Sequence, residues 1–218
     1  MIYILPALIL SLIAQSKVKS AYAKYSKVRA SSNLTGADIA RRILVNANIN
    51  DVSIGRVSGE LTDHYDPRKK EINLSNNIHS GNTIAAYGIA AHEAGHVLQH
   101  YEGYGPIKLR NSIVPVIQFS SSAAIPLFFL GFLFNAGTFM TLGIVLFSGV
   151  VVFHLVTLPV EFNASKRAIN VLQNDGYLSQ TEISGVKEVL NAAALTYVAS
   201  AVMAAMQLLR LLAMSRRR

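Results

Sequence analysis

The chain has 218 residues, 51% of them apolar, no cysteine, a formal charge of +8 and a mean hydropathy of +0.36. That length suits one domain or two small ones, and the hydropathy is too high for an ordinary soluble domain. Lack of cysteine excludes disulfides and thiolate metal sites, so any zinc must be held by His and carboxylate. The basic residues form no aromatic-interleaved patch or nucleic-acid module; they flank apolar segments, which points to a lipid bilayer and away from nucleic acid.

Ile2 to Gln15 is apolar but short. At 1.5 Å per residue it covers about 21 Å of a hydrocarbon core about 30 Å thick. No basic residue precedes it, no small-x-small cleavage site stands ahead of Ser16-Lys17-Val18-Lys19, and the basic residues follow it. An uncleaved membrane anchor is therefore expected over 1–15, continuing as an amphipathic helix through Tyr22 to Val28.

Leu34 to Leu109 has the composition of a soluble part. Thr35-Gly36-Ala37-Asp38 opens a helix to about Ala47, with Ile39, Ile43 and Leu44 on one face. Two β-like runs follow, Val52 to Ile54 and Glu71 to Leu74, and between them Leu61-Thr62-Asp63-His64-Tyr65-Asp66-Pro67 ends in a turn signal. Glu71-Ile72-Asn73-Leu74-Ser75 alternates polar and apolar side chains. It suits an edge strand that adds a peptide substrate along Ile72, Asn73 and Leu74, or equally a plain structural strand.

Near Ser80-Gly81-Asn82 a capped helix begins, running from Thr83 to about His100 and carrying Ala91-His92-Glu93-Ala94-Gly95-His96. Residues four apart share a helical face, so His92 and His96 can offer two imidazoles to one metal ion. Glu93, turned about 100° from His92, flanks that ion, where it can take a proton from a water the metal activates. The alternative is an amphipathic helix with two surface histidines. The apolar, small run Ile84 to Ala91 argues against it, because buried histidines and a carboxylate need a partner that a metal supplies.

Ile113 to Phe134 and Thr138 to Val160 lack Lys, Arg, Asp and Glu and are long enough to span. Asn135-Ala136-Gly137 joins them in a tight turn, and Pro115, Pro126 and Pro159 are expected to kink them as membrane helices tolerate. His154 lies inside the second of these spans, where an ionisable group suggests function, or else a neutral histidine bonded between helices. Val189 to Met214 is apolar but interrupted by Arg210 and ends in Arg216-Arg217-Arg218, so it either spans or lies along the membrane surface. Ser16 to Asn111 holds 13 of the 20 Lys and Arg residues and the hairpin turn holds none, which places that loop in the cytoplasm.

A catalytic zinc site wants three protein ligands and an open position. His100 is about 12 Å along the helix from His92, too far to share one ion, and suits a helix-end or supporting role. Glu161 ends the second span of the hairpin and so returns to the membrane face that carries the long loop. Asp175, in Asn174-Asp175-Gly176, competes with it; yet that tripeptide more simply ends a helix over 161–173 before a capping box at Ser179-x-x-Glu182. Glu161 is the better placed of the three. Loss of zinc from an Asp175 variant alone would instead favour an intramembrane, site-two type of protease.

Asp63-His64-Tyr65-Asp66-Pro67, Ala91 to His96 with Gln99-His100, and Leu158-Pro159-Val160-Glu161-Phe162-Asn163-Ala164-Ser165 together resemble the YugP-like membrane zinc metallopeptidases of bacteria. More distantly, the chain resembles the HtpX and CAAX-prenyl protease group. The likeness covers nearly the whole chain in order. It implies a gluzincin site with one zinc ion on His92, His96 and Glu161 and with Glu93 as general base. In the HtpX-like group an Asp follows the third ligand in Glu-x-x-Ala-Asp; here the position is Ser165, a neutral hydroxyl that cannot give the same charge-assisted bond.

The fold expected is mainly α with a small β element, a membrane-anchored, zincin-like gluzincin with three or four transmembrane helices. Its parts are an anchor at 1–15, a soluble zincin-like part at 16–112, a transmembrane hairpin at 113–160, a helix with the third ligand and a connector at 161–188, and an apolar helix at 189–214. The activity expected is endopeptidase cleavage of protein or peptide substrates, membrane proteins among them, at the cytoplasmic face of the cell membrane. His64, Tyr65 and His154 are candidate oxyanion stabilisers. A zinc-containing scaffold or chaperone without catalysis is the rival, though a purely structural site has no need of Glu93.

Overall fold

The computed structural model describes residues 3–216; Ile2, Arg217 and Arg218 lie outside them. Seven helices and three strands follow one another as α1 (Leu5–Tyr25), α2 (Gly36–Asn46), β1 (Ser53–Val57), β2 (His64–Asp66), β3 (Glu71–Ser75), α3 (Asn76–His79), α4 (Ile84–Tyr101), α5 (Gly105–Leu133), α6 (Gly137–Asn174) and α7 (Gln180–Ser215). The protein is thus mostly helical with one small sheet, as its composition and periodicity suggest. The chain divides into two compact units. One comprises the described part of Met1–Gln15, Gly105–Pro159 and Leu195–Arg218; the other comprises Ser16–Tyr104 and Val160–Ala194.

The unit formed by Ser16–Tyr104 and Val160–Ala194 holds the sheet and the His-Glu-x-x-His helix. Thr35 caps α2 in a reciprocal capping box with Asp38, and Ile39, Ile43 and Leu44 are buried on its inner face. Thr83 caps α4 by accepting a hydrogen bond from the Ala86 amide. The fully buried Tyr87 keeps its hydroxyl satisfied by the backbone carbonyls of Ser32 and Leu34. Around this helix a single core gathers Ile39, Ile72, Leu74, Ile78, Leu172, Ile183 and Val186.

The strand order is β1-β3-β2. β3 pairs in parallel with β1 and antiparallel with β2, with Ile72 opposite Ile54 on one side and Tyr65 on the other. This corrects the expectation that Glu71–Ser75 is an edge strand open to a peptide. Both of its flanks are paired, and Ile72 and Leu74 point fully into the core. The edges are β1 and β2, and β2 falls in the stretch whose sequence shows only a turn. Asp63 accepts from the Ser75 amide at 2.7 Å, and Asp66 accepts from the Arg68 amide at 2.9 Å, so the Asp63–Pro67 segment is pinned at both ends.

In the other unit α5 and α6 form the expected hairpin, with Asn135 in the left-handed region at φ 55° where the chain turns. The two helices meet closely: a Cβ on Gly143 would lie 2.8 Å from the Ala124 carbonyl, and one on Gly131 would lie 2.5 Å from the Met140 amide. Phe128, Met140 and Leu211 form its small core. Among the described residues, three helices are long and apolar enough to cross a membrane: α5, α6 and α7. α7 therefore meets the requirement for a span, while α1 is not among them. Leu5, Leu8, Ile9, Leu12 and Ile13 of α1 are nonetheless exposed. α5 and α6 stay helical through Pro115, Pro126 and Pro159, so Glu161 sits within one continuous helix and not at the start of a new one.

α4 and α6 approach at backbone contact. A Cβ on Gly95 would stand 2.8 Å from the Ala164 carbonyl oxygen, closer than a real Cβ tolerates. Helix propensity alone favours Gly95→Ala by about 1 kcal/mol, whereas overpacking against backbone costs about 1–3 kcal/mol. The clash is the larger effect, so Gly95→Ala is expected to lower the melting temperature. Gly105→Ala, whose Cβ meets nothing within 4 Å, is the matched control. Thermal unfolding of both variants in detergent checks the sign.

Candidate metal centre

His92, Glu93 and His96 lie on α4, and Glu161 and Ser165 lie on α6, with all but the half-buried His92 shielded from solvent. The Gly95–Ala164 approach brings the two helices together beside these residues, next to His96 and Ser165 and three residues from His92 and Glu161. His92 Nε2 lies 3.3 Å and His96 Nε2 3.5 Å from Glu161 Oε2, and one donor atom from each of the three residues falls within 4.8 Å of the others. Two donors each 2.0–2.2 Å from a tetrahedral zinc stand about 3.3–3.6 Å apart. The separations of both imidazoles from Glu161 match, and two imidazoles with one carboxylate form a donor set that zinc accepts. The residues therefore fit the metal.

Each imidazole is held by its other nitrogen. His92 Nδ1 is 3.1 Å from Ser165 Oγ, and His96 Nδ1 is 3.1 Å from Gln99 Oε1. Ser165 thus meets His92 through a neutral hydroxyl. The fully buried Gln99 donates onward to the Val160 carbonyl at 2.8 Å and to Asn163 Oδ1 at 2.9 Å. Sequence reasoning offers Ser165 as a possible support without naming its partner, and it missed Gln99 and Asn163. Gln99 lies three residues after His96, which was the available signal; Asn163 lies 64 positions away in sequence and gave none.

Glu93 is buried beside the cluster, and burial pushes its carboxyl up to about 7 against the opposing pull of His92. Glu161, Asp63 and His64 also act on it electrostatically, so the loop before β2 reaches its neighbourhood. A bound dication would draw the Glu93 carboxyl back toward its ionised form.

The remaining candidates lie elsewhere. His64 is exposed on β2 with its Nδ1 2.8 Å from the Thr62 carbonyl, so Nδ1 carries the proton and Nε2 can donate only from the imidazolium. The Tyr65 hydroxyl is 2.9 Å from His100 Nδ1, and burial raises it to about 12. His100 lies in the last turn of α4 and is not in the metal cluster. Ile72, Asn73 and Leu74 belong to the central strand. Asp175 is exposed past the end of α6 and accepts from Asn46 Nδ2 at 3.0 Å; it is not in the cluster. His154 falls in the other compact unit, where its ring meets that of Phe153 edge-on.

A profile of the family described as "Putative neutral zinc metallopeptidase" matches residues 1–216. The chain is 50% identical over 204 residues to the "Putative membrane protease YugP" of Bacillus subtilis (strain 168), covering 94% of this chain and 91% of that protein. No solved structure matches it. A donor set suited to zinc, three helices apolar enough to cross a membrane and a family match over almost every residue agree, and the chain belongs to the neutral zinc metallopeptidase family.

Proposed function

We propose that this protein is a membrane-embedded zinc endopeptidase in which His92, His96 and Glu161 hold the metal and Glu93 is the general base. The observation that carries the reading is the meeting of two imidazole Nε2 atoms and one carboxylate oxygen at zinc-like separations beside a second, buried carboxylate. When bound, zinc supplies a Lewis acid that polarises a peptide carbonyl and makes water a nucleophile at neutral pH. Glu93 takes the proton of the attacking water and passes it to the departing amine nitrogen as the C–N bond breaks. Ser165 and Gln99 keep the two imidazoles turned toward the metal, so no reorientation is needed during the reaction.

With β3 paired on both sides, strand addition moves to the outer edge of β2, the strand that touches α4 through Tyr65 and His100. An extended peptide laid there runs beside the loop that reaches Glu93. His64, as imidazolium, is the proposed donor to the developing oxyanion, because the Tyr65 hydroxyl is engaged by His100. The protein is proposed to be multi-pass, with the zinc unit on the cytoplasmic side, as the basic residues between Ser16 and Asn111 favour. Protein or peptide chains, membrane proteins among them, are the proposed substrates.

Glu93→Gln tests the mechanism. It should retain one zinc per chain and lose about 10²–10⁴-fold in cleavage of fluorescent casein by the purified protein. Wild-type turnover in a zinc-loaded variant would sink the assignment. Glu161→Ala should lose zinc while Asp175→Ala keeps it, as metal analysis after dialysis will read.

The lack of cysteine makes the topology directly testable. Ser58→Cys should resist a membrane-impermeant maleimide in intact cells and react after lysis, whereas Ala136→Cys in the hairpin turn should react from outside. The reverse pattern would move the zinc unit to the outer face.

A further inference from the structure

Gln99 opens a chain of polar contacts that runs away from the metal cluster. Asn163 Oδ1 accepts from Gln99 Nε2 at 2.9 Å and from Arg167 Nε at 2.7 Å, and Arg167 Nη1 pairs with Glu102 Oε2 at 2.6 Å. The direction of every bond in this chain is set by groups that cannot reverse. A guanidinium only donates, so the atom of Asn163 that meets Arg167 must be its oxygen. That oxygen, and the Val160 carbonyl 2.8 Å away, can only accept from Gln99, so both see its amide nitrogen. The Gln99 oxygen is then left facing His96 Nδ1, which must carry the ring proton. In a neutral imidazole the lone pair is consequently on Nε2, the atom 3.5 Å from Glu161 Oε2.

We propose that Arg167, acting through Asn163 beside the Val160 carbonyl, is a positioning residue that clamps Gln99 in the one orientation that protonates His96 on Nδ1 and holds its Nε2 lone pair ready for the metal. The proposal rests on the reading of His92, His96 and Glu161 as zinc ligands. The two supports differ in kind. A serine hydroxyl donates or accepts, so Ser165 permits either tautomer of His92. The Gln99 relay permits one tautomer of His96. Asn163 and Arg167 stand one turn apart on α6, and Gln99 lies on α4 three residues before Glu102, its C-cap, so the relay also ties the two helices together one turn beyond the ligands. Glu102 is exposed, and its ion pair contributes little stability by itself. Its effect is to aim the guanidinium at Asn163.

The test uses the full chain in detergent. Zinc affinity is read by competition with a chromogenic chelator, and the His96 tautomer by ¹⁵N shifts of the ring nitrogens in the metal-free protein. Arg167→Met and Asn163→Leu should each weaken zinc binding by about 10–100-fold. They should also shift and broaden the His96 ring-nitrogen signals, because the Val160 carbonyl alone then holds Gln99. Asn163→Asp, whose carboxylate still accepts from both neighbours, should bind zinc close to wild type. If Arg167→Met melts too low to study, Arg167→Lys replaces it: an ammonium still donates to Asn163, so affinity should be largely kept.

The relay is overturned if Arg167→Met and Asn163→Leu, still folded, bind zinc as wild type does with an unchanged His96 signal. It is overturned as well if Asn163→Asp loses as much affinity as Asn163→Leu, since shape and not bond direction would then matter. His96→Ala separates the two levels. If it binds zinc as tightly as wild type, the ligand assignment itself falls and the relay with it; if it loses zinc while the relay variants do not, only the relay falls.

Discussion

Gly95 lets two helix backbones come into contact, and the geometry of the metal cluster follows from that contact. Where α4 meets α6 there is no room for a Cβ between Gly95 and the Ala164 carbonyl. With the helices this near, the short Ser165 side chain reaches His92, and the Glu161 carboxylate reaches both imidazoles. An additional methyl group at position 95 must push the backbones apart by several tenths of an ångström. The donor separations would grow with them, and zinc sites tolerate errors of about 0.2 Å in their bonds. The small residues between the two histidines are therefore as much a part of the site as the ligands. The motif tolerates any residue at position 95 in principle, and this fold does not.

The same contact explains why the supporting residues are short or amide-bearing. A long charged side chain between α4 and α6 would have to be desolvated there, which costs several kcal/mol unless fully paired. Ser165 and Gln99 avoid that cost, because neutral groups fill their hydrogen-bonding capacity in a small space. Full charges occur at the margin of the helix pair, where Arg167 and Glu102 meet with partial exposure. Polarity is thus graded from the cluster outward: ligands, neutral supports, then an ion pair near solvent. Such a gradient keeps every buried polar atom of the relay partnered without burying an uncompensated charge.

The features visible in the sequence are those set by local spacing. His92, Glu93 and His96 follow from helical periodicity, the Thr35 and Thr83 caps from their position before apolar runs, and the hairpin from two long uncharged segments. Glu161 was accessible because an apolar hairpin forces its own ends back to one side. Strand order was not, because alternation in Glu71–Ser75 says that the segment is half-polar, not which neighbours pair with it. The core buries its apolar face and two other strands cover its flanks. β2 escaped notice because three residues ending in Asp-Pro carry a turn signal stronger than any strand signal. Asn163 and Arg167 were invisible as supports for a related reason: their partners on α4 are some 60 positions away in sequence, and single polar residues on a helix ordinarily face water.

Charge arithmetic gives Ser165 a meaning beyond the loss of a carboxylate. On the proposed reading, two neutral imidazoles and the Glu161 carboxylate around a dication carry a net charge of about +1. Glu93, ionised, is then the group that brings the enclosed site to neutrality. A carboxylate at position 165 would supply that negative charge instead. Glu93 would experience less attraction from the metal and more repulsion from its neighbour, both of which favour its protonated form. A protonated Glu93 cannot accept a proton from water. With a hydroxyl at 165, the buried Glu93, which burial above all pushes up to about 7, remains the carboxylate with most to gain from the metal. The neutral support therefore favours the base, and it leaves His92 a weaker donor than a carboxylate-backed imidazole would be, keeping the metal more electrophilic. The orientation that a weaker hydrogen bond gives up at His92 is recovered at His96, where Gln99, held by the Val160 carbonyl and the chain from Arg167, permits one tautomer.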